Sequence, residues 1–89
     1  MVYNQKKVDS QLKKLNKMLS ALHRITEHLT VTLKFRANEL IAEDISYVNE
    51  KLKWLKYGNE LSSAEMLIIN SIWNTINSEY PNIINAKRI

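Results

Sequence analysis

The chain has 89 residues, of which 45% are hydrophobic and 25% are charged, so it can form one globular domain over residues 1–89 and is not expected to be disordered. One Gly, one Pro and no Cys argue against turn-rich β folds and Gly-rich nucleotide-binding loops, and exclude disulfides, thiol catalysis and Cys-ligated zinc. The net charge is +4, no apolar run approaches the roughly 20 residues that span a bilayer, and residues 1–14 lack the apolar segment of a signal peptide. A cytoplasmic location is therefore expected.

The first predicted helix covers about residues 7–34 and is indicated by apolar residues at steps of three and four. These residues are Val8, Leu12, Leu15, Leu19, Leu22, Leu29 and Leu33, with Thr26 in the one remaining slot. Residues 29–35 alternate between apolar and polar side chains, as a strand would. Because a single strand would have no partner in this chain, we expect the helix to end or kink near these residues.

The second predicted helix covers residues 38–57, between an N-cap at Asn38 and the chain's one glycine, Gly58. Its apolar stripe has the same spacing as the first, and three more apolar residues, seven positions apart, widen it. The stripe consists of Ile41, Ile45, Val48, Leu52 and Leu55, and the residues beside it are Leu40, Tyr47 and Trp54.

The third predicted helix covers residues 62–80 and has the clearest local signature. Ser62 and Glu65 match a capping box, in which each side chain bonds the other's backbone N–H, and Leu61 and Met66 match the hydrophobic staple that accompanies it. Pro81 cannot continue the helix, so residues 81–89 form a short C-terminal tail.

These elements predict an all-α fold, a small antiparallel three-helix bundle. Two alternatives stay open: four helices if the first one breaks, or a dimer of long helices, since one unbroken helix over residues 7–57 is too long for a compact monomer. The residues predicted to form the core lie on the apolar faces of the three helices. They are Leu12, Leu15, Leu19, Leu22, Ile45, Val48, Leu52, Ile69, Ile72, Trp73 and Ile76.

Basic residues are concentrated in the first predicted helix, where Asp9 is the one acidic residue before position 27. Lys13, Lys17 and Arg24 share the helical face opposite the leucines. Such a face suits nucleic acid, an anionic membrane surface or an acidic protein, but a solvated helix face has the same composition, and we favour that simpler interpretation. No aromatic residue interleaves with these basic residues, so stacking on single-stranded nucleic acid is not indicated.

Aromatic and apolar residues are the other candidates for partner contacts. Trp54 and Tyr57 are of the types that often anchor protein interfaces, although packing within the bundle explains their positions equally well. Ile83 and Ile84 in the tail dock either on the bundle or on a partner. Trp73 is assigned to the core.

No catalytic, cofactor-binding or metal-binding residues are predicted. His23 and His28 are five residues apart and so miss the i, i+4 spacing of helical zinc sites. Glu39 and Glu43 have that spacing, but such pairs are typical of solvated helix surfaces. Because the chain also lacks a phosphate-binding loop and a nucleophile motif, we do not expect an enzyme.

From Glu50 to Ile89 the chain resembles the bacteriocin immunity proteins of lactic-acid bacteria. The likeness rests on LSSAE at residues 61–65, which opens a late helix, and on INSEY at residues 76–80, which ends it. The resemblance implies a small bacterial, cytosolic helical bundle that protects a producer cell. That family forms an antiparallel four-helix bundle, whereas three helices are predicted here.

The same region resembles the epsilon-type antitoxins of plasmid toxin–antitoxin systems. The matching residues lie in the second and third predicted helices and the loop between them; they are Leu52, Lys53, Lys56, Asn59, Ser62, Glu65, Trp73, Asn77 and Tyr80. This resemblance implies a three-helix protein of similar length. Antitoxins of that family block the toxin with their first helix, which has no residue-by-residue counterpart in this chain.

Both resemblances imply a non-catalytic protein that neutralises or regulates a macromolecular partner. We expect a protein partner, and a bacteriocin immunity protein is the favoured function. The alternatives are an epsilon-like antitoxin and a small phage or plasmid nucleic-acid-binding regulator that uses the basic first helix. A homodimer is a further option, and no cofactor is expected.

Replacing the predicted N-cap of the third helix should destabilise the protein. Ser62→Ala should lower the free energy of unfolding by about 0.5–2 kcal/mol, because one helix N–H loses its side-chain partner. Ser63→Ala is the control and should have a smaller effect in urea melts. Equal effects, or the reverse order, would place the helix start elsewhere.

Overall fold

The computed structural model describes residues 5–85, which form three long helices and one short helix. Helix α1 spans Gln5–Val31, α2 spans Phe35–Lys56, α3 spans Ser63–Glu79 and α4 spans Pro81–Ile84. The predicted all-α bundle is confirmed, and no strand occurs in the described part of the chain. The fourth helix comes from the predicted tail, whose residues 86–89 lie outside the described residues.

The chain reverses direction between α1 and α2 within residues 32–34. Leu33 adopts the left-handed backbone conformation, with φ 59°. Its N–H donates to the Thr30 carbonyl at 3.2 Å, and the Lys34 N–H donates to the Leu29 carbonyl at 2.9 Å. This is the Schellman pattern, which usually has Gly at the left-handed position. The alternative of one unbroken helix, and the dimer of long helices that it would need, is therefore wrong.

Asn38 is not the N-cap of α2, as the sequence had suggested. The helix begins at Phe35, because the Schellman turn leads directly into it, and Lys34 occupies the N-cap position without a side-chain cap. Asn38 lies in the first turn, where its side-chain amide donates to the Thr30 hydroxyl at 3.1 Å. This hydrogen bond joins the start of α2 to the end of α1.

Helix α2 ends just before Gly58, as the sequence predicted. Gly58 has φ 86°, and its N–H donates to the Leu55 carbonyl at 2.9 Å. The Asn59 N–H donates to the Trp54 carbonyl at 3.3 Å, which completes a second Schellman pattern.

The predicted capping box at the start of α3 is also present. The backbone N–H of Ser62 donates to the Glu65 carboxylate at 2.9 Å, and the Glu65 N–H donates to the Ser62 hydroxyl at 3.2 Å. Leu61 is buried and Met66 packs against the core, as the hydrophobic staple requires.

Helix α1 packs against each of the other three helices, so its buried surface is wider than one stripe. Four of its apolar residues, seven positions apart, are buried: Leu15 and Leu22, which were predicted for the core, and Val8 and Leu29, which were predicted only for the apolar stripe. The remaining buried residues of the stripe follow Val8, Leu15 and Leu22 at a spacing of three positions, whereas a spacing of four had been predicted. They are Gln11, Met18 and Ile25. Leu12 and Leu19 are half-buried at the edge of the core.

Five residues predicted for the core are only partly buried and pack against its edge; they are Leu12, Leu19, Ile45, Ile72 and Trp73. They lie beside the buried centre of their helix faces, where a small bundle has no further helix to cover them. The core instead includes residues that the prediction omitted, among them Met18, Ile25, Ile41, Leu55 and Leu61.

Gln11 is the buried polar residue that joins α1 to the loop before α3. Its side chain is 5% exposed, and its carbonyl oxygen Oε1 accepts the backbone N–H of Leu61 at 3.0 Å. Leu61 is itself buried, so water does not replace this partner. Beside it, the Lys7 ammonium lies 2.6 Å from the Glu60 carboxylate, at the exposed end of the same contact.

Removing the acceptor at Gln11 should destabilise the protein without emptying the core. Gln11→Met keeps a side chain of similar length but leaves the Leu61 N–H unpaired, which should cost about 1–3 kcal/mol of unfolding free energy. Asn16→Ala, at an exposed position of α1, is the control and should change little. Urea melts of both variants give the comparison, and a Gln11→Met loss no larger than the control's would contradict the role assigned to the hydrogen bond.

Candidate partner-binding surface

A basic cleft lies between α1 and α3. It has a volume of about 350 Å³ and is lined by Lys13, Lys14, Lys17, Met18 and Trp73. The Lys17 ammonium lies 5.6 Å from the centroid of the Trp73 ring, within the range of a cation–π interaction. The Lys14 ammonium donates to the side-chain carbonyl of Asn70. The cleft thus combines three cationic groups with one face of an indole.

This arrangement corrects the sequence reading of the basic helix. Trp73 is half-buried rather than a core residue, and it brings an aromatic ring next to lysines that appeared to have none. Lys14, which was not a candidate, faces the cleft with Lys13 and Lys17. Arg24 is half-buried and does not line the cleft, so the three predicted basic candidates do not form one site.

Trp54 and Tyr57 lie in the last turn of α2 and just beyond it, on the surface. Trp54 is 50% exposed and Tyr57 is 85% exposed. Packing within the bundle therefore does not account for Tyr57, and it accounts for only part of Trp54. Exposed aromatic side chains of this kind provide rigid, largely apolar contact area.

Leu40 and Tyr47 continue this surface along α2, because residues seven positions apart lie on nearly the same side of a helix. Leu40 is largely exposed, and Tyr47 is half-buried with its ring 5.2 Å from the Lys51 ammonium. We call the set of Leu40, Tyr47, Trp54 and Tyr57 the α2 stripe. The sequence suggested that its first three members widen the buried face, but they lie at its exposed edge.

An ion pair beside the α2 stripe joins α2 to α3. The Lys51 ammonium lies 2.8 Å from the Glu65 carboxylate, and both side chains are mostly buried. The hydrogen bond from Lys51, with those from Ser62, lowers the pKa of Glu65 from its ordinary 4.5 to about 2. The same bond raises the pKa of Lys51. The ion pair is therefore fully charged at neutral pH.

The pKa of Asp44, which lies on the same side of α2 as Lys51, is shifted in the opposite direction to that of Glu65. Burial, and then the nearby carboxylates of Glu43 and Glu79, raise its pKa above the ordinary 3.8. Its charged form costs stability, and protonation relieves that cost as the pH falls through the raised pKa. The contacts of α2 with α3 thus contain one carboxylate that stabilises the fold and one that weakens it.

Ile83 and Ile84 dock on the bundle, which is one of the two possibilities that the sequence left open. Both lie in α4, are half-buried and pack against the core. The tail docks on the bundle because α4 contacts both α1 and α3. These two isoleucines therefore belong to the fold.

The structure exposes an apolar cluster that the sequence reasoning missed. Val31 is 82% exposed, Leu33 is 69% exposed and Phe35 is 64% exposed, all around the reversal between α1 and α2. We call residues 31–36 the hairpin tip. The signal was present as the alternating pattern of residues 29–35, which had been weighed only as a choice between helix and strand.

Neither a metal-binding group nor a membrane-spanning helix is found among residues 5–85. No three His, Asp or Glu side chains come together there in a way that would hold a metal ion. No helix in that range combines the length and the apolar character needed to cross a membrane.

Acid should weaken the fold through Glu65. Since its pKa is lower in the folded protein, the stabilisation is fully present above about pH 4.5 and is lost as the pH falls towards about 2. Glu65→Gln removes the charge but keeps the capping box, which accepts Gln at this position. We expect this variant to be less stable than the wild type at neutral pH and to lose less stability on acidification.

Urea melts at several pH values between neutral and about 2 test this prediction. Asp44→Asn is the control of opposite sign and should stabilise the protein at neutral pH. Parallel pH profiles for the wild type and Glu65→Gln would contradict the role of the ion pair.

Comparison with protein-family models, with curated proteins and with solved structures found no match to this chain.

Proposed function

We propose that the chain is a non-catalytic binding protein that neutralises or regulates a protein partner, as bacteriocin immunity proteins do. The observation that carries the proposal is the exposure of Trp54 and Tyr57 on the α2 stripe. The two side chains are three positions apart in sequence, so they offer neighbouring contact area at the end of α2. Trp and Tyr are also the residues that most often carry the binding energy of protein interfaces.

The form of the α2 stripe supports a helical or flat protein partner. Its members recur along α2 from Leu40 to Tyr57, over a length of about 25 Å at 1.5 Å per residue. The Lys51–Glu65 ion pair fixes this side of α2, so the stripe is organised before a partner arrives. A preorganised surface loses less entropy on binding than a flexible one.

The architecture is compatible with the resemblance to immunity proteins. Three long helices and the single turn of α4 are closer to that family's four-helix bundle than the three predicted helices were. A fold alone does not fix a function, so the resemblance adds to the proposal without carrying it. The expected location remains the cytoplasm.

A second candidate function, a nucleic-acid-binding regulator, is favoured by one observation, the basic cleft. Its three lysines around Trp73 offer cations for phosphates and a ring for a base. The Lys17 ammonium already lies over that ring, however, and Lys14 is bonded to Asn70. Because these contacts occupy the groups that would bind a nucleotide, we rank this function second.

Immunity is tested by producing the chain in bacteriocin-sensitive cells and challenging them with individual bacteriocins of lactic-acid bacteria. We expect protection against at least one of them. Trp54→Ala combined with Tyr57→Ala should abolish that protection, because truncated interface anchors typically cost about 2 kcal/mol or more each. Leu67→Ala, at a position of α3 whose 70% exposure lies between those of Trp54 and Tyr57, is the control and should leave protection unchanged. Protection that survives the loss of both aromatic residues would contradict the role of the α2 stripe.

The nucleic-acid function is tested separately by gel shift and fluorescence titration with random duplex DNA and RNA at low salt. We expect weak binding or none. Tight binding that falls steeply with salt, and that is lost on combined reversal of Lys13 and Lys17 to Glu, would replace the proposed function with the second candidate.

A further inference from the structure

The hairpin tip presents apolar and basic side chains in alternation. Val31, Leu33 and Phe35 are all more than 60% exposed, and the two side chains that follow Leu33 and Phe35, Lys34 and Arg36, are exposed as well. The three apolar side chains lie within five residues of one another at a chain reversal. They are therefore exposed at the same end of the hairpin, with two exposed cations in the same segment.

The charge around the tip has one sign. Residues 28–38 contain Lys34 and Arg36 but no Asp or Glu. The nearest acidic residues in the sequence are Glu27 and Glu39, each set back along its helix from the reversal. An anionic surface that approaches the tip therefore meets cations first.

The backbone conformation at position 33 would be more stable with Gly, so the presence of Leu there is not explained by the stability of the fold. A left-handed conformation costs an L-residue with a side chain about 1–2 kcal/mol relative to Gly. The equivalent position at the end of α2 is Gly58, so the same turn is built there without that cost. The Leu33 side chain also recovers little by packing, because it is 69% exposed.

The tip lies at one end of the long axis of the molecule. Helix α1 has 27 residues, or about 40 Å at 1.5 Å per residue, and the longest dimension of the molecule is 47 Å. The reversal after α1 is therefore an extremity, and a flat surface can touch it without meeting the rest of the bundle. It is also remote from Trp54 and Tyr57, which lie at the opposite end of α2.

We infer that the hairpin tip docks peripherally on an anionic phospholipid surface. Apolar side chains can enter the boundary of the acyl chains while neighbouring Lys and Arg bind the phosphate groups. A stable protein interface buries about 800 Å² on each partner, far more than the six residues of the hairpin tip offer by themselves. A bilayer needs no complementary shape, so a small convex tip is sufficient. Binding through so few side chains is weak and reversible, and it is independent of the identity of the protein partner.

The test is co-flotation of the full-length protein with vesicles of phosphatidylglycerol and phosphatidylcholine, compared with vesicles of phosphatidylcholine alone, at low salt. We expect binding to the anionic vesicles and much weaker binding to the neutral ones. Lys34→Glu with Arg36→Glu should reduce binding by more than about twentyfold, since each basic residue near an anionic membrane contributes about fivefold.

Leu33→Gly separates membrane docking from folding. The substitution relieves the left-handed strain, so the melting temperature should stay the same or rise. Vesicle binding should nevertheless fall by about tenfold, because a buried leucine side chain is lost from the contact. A variant that is at least as stable as the wild type and binds less cannot be explained by misfolding.

Two matched controls locate the contact. Leu67→Ser removes an equally exposed leucine from α3, and Lys13→Glu with Lys17→Glu makes the same change in net charge on the basic cleft. Both should bind more strongly than the corresponding tip variants. Because the chain has no Cys, Leu33→Cys can also carry a single environment-sensitive dye, whose emission should shift to the blue on anionic vesicles.

Three results would overturn the inference. The first is absence of binding to anionic vesicles, and the second is binding that the cleft variant reduces as much as the tip variant does. The third is that the wild type self-associates, that Leu33→Gly abolishes this self-association, and that the dye at position 33 does not respond to vesicles. This result would show that the tip binds a second copy of the chain.

Discussion

The burial of α1 on more than one side is the constraint on which the other elements depend. Helix α1 contacts α2, α3 and α4, so its sequence has to supply apolar surface over a wide arc. Residues seven positions apart form the centre of that arc, and residues on both sides of them complete it. Helices α2 and α3 then need only one apolar face each, which leaves their other faces available for contacts outside the bundle.

Local hydrogen-bonding signals made much of the fold predictable. Ser62 and Glu65 form a capping box because both partners lie within one turn, and Gly58 ends α2 because only Gly enters the left-handed region without cost. These signals act through hydrogen bonds within one helical turn, so they do not depend on the tertiary packing of the rest of the chain. Helix α3 and the end of α2 were therefore located within a residue of their observed bounds.

The features that escaped prediction depend on tertiary contacts or on a residue that breaks a local rule. Leu33 adopts a conformation that normally indicates Gly, so the Schellman turn was not predicted, although the end of α1 was expected near residues 29–35. Gln11 is polar, and its burial becomes favourable only when Leu61, fifty positions away, supplies an N–H. The candidate site was predictable only in part for the same reason. Trp54 and Tyr57 could be named, but their exposure, and the approach of Trp73 to Lys17, required the packing of α3 on α1.

Several polar contacts add to the apolar packing of α3, and they have a consequence for how the molecule opens. The segment from Glu60 to Asn70 is attached by Gln11, by the ion pairs of Lys7 and Lys51, and by the bond from Lys14, whereas α1 and α2 are joined by a short turn and share much of the core. Contacts between neighbours in sequence form with little loss of chain entropy, and contacts across fifty residues form late. We therefore expect helices α3 and α4 to detach together before the α1–α2 hairpin unravels, and their amide hydrogens to exchange with solvent first.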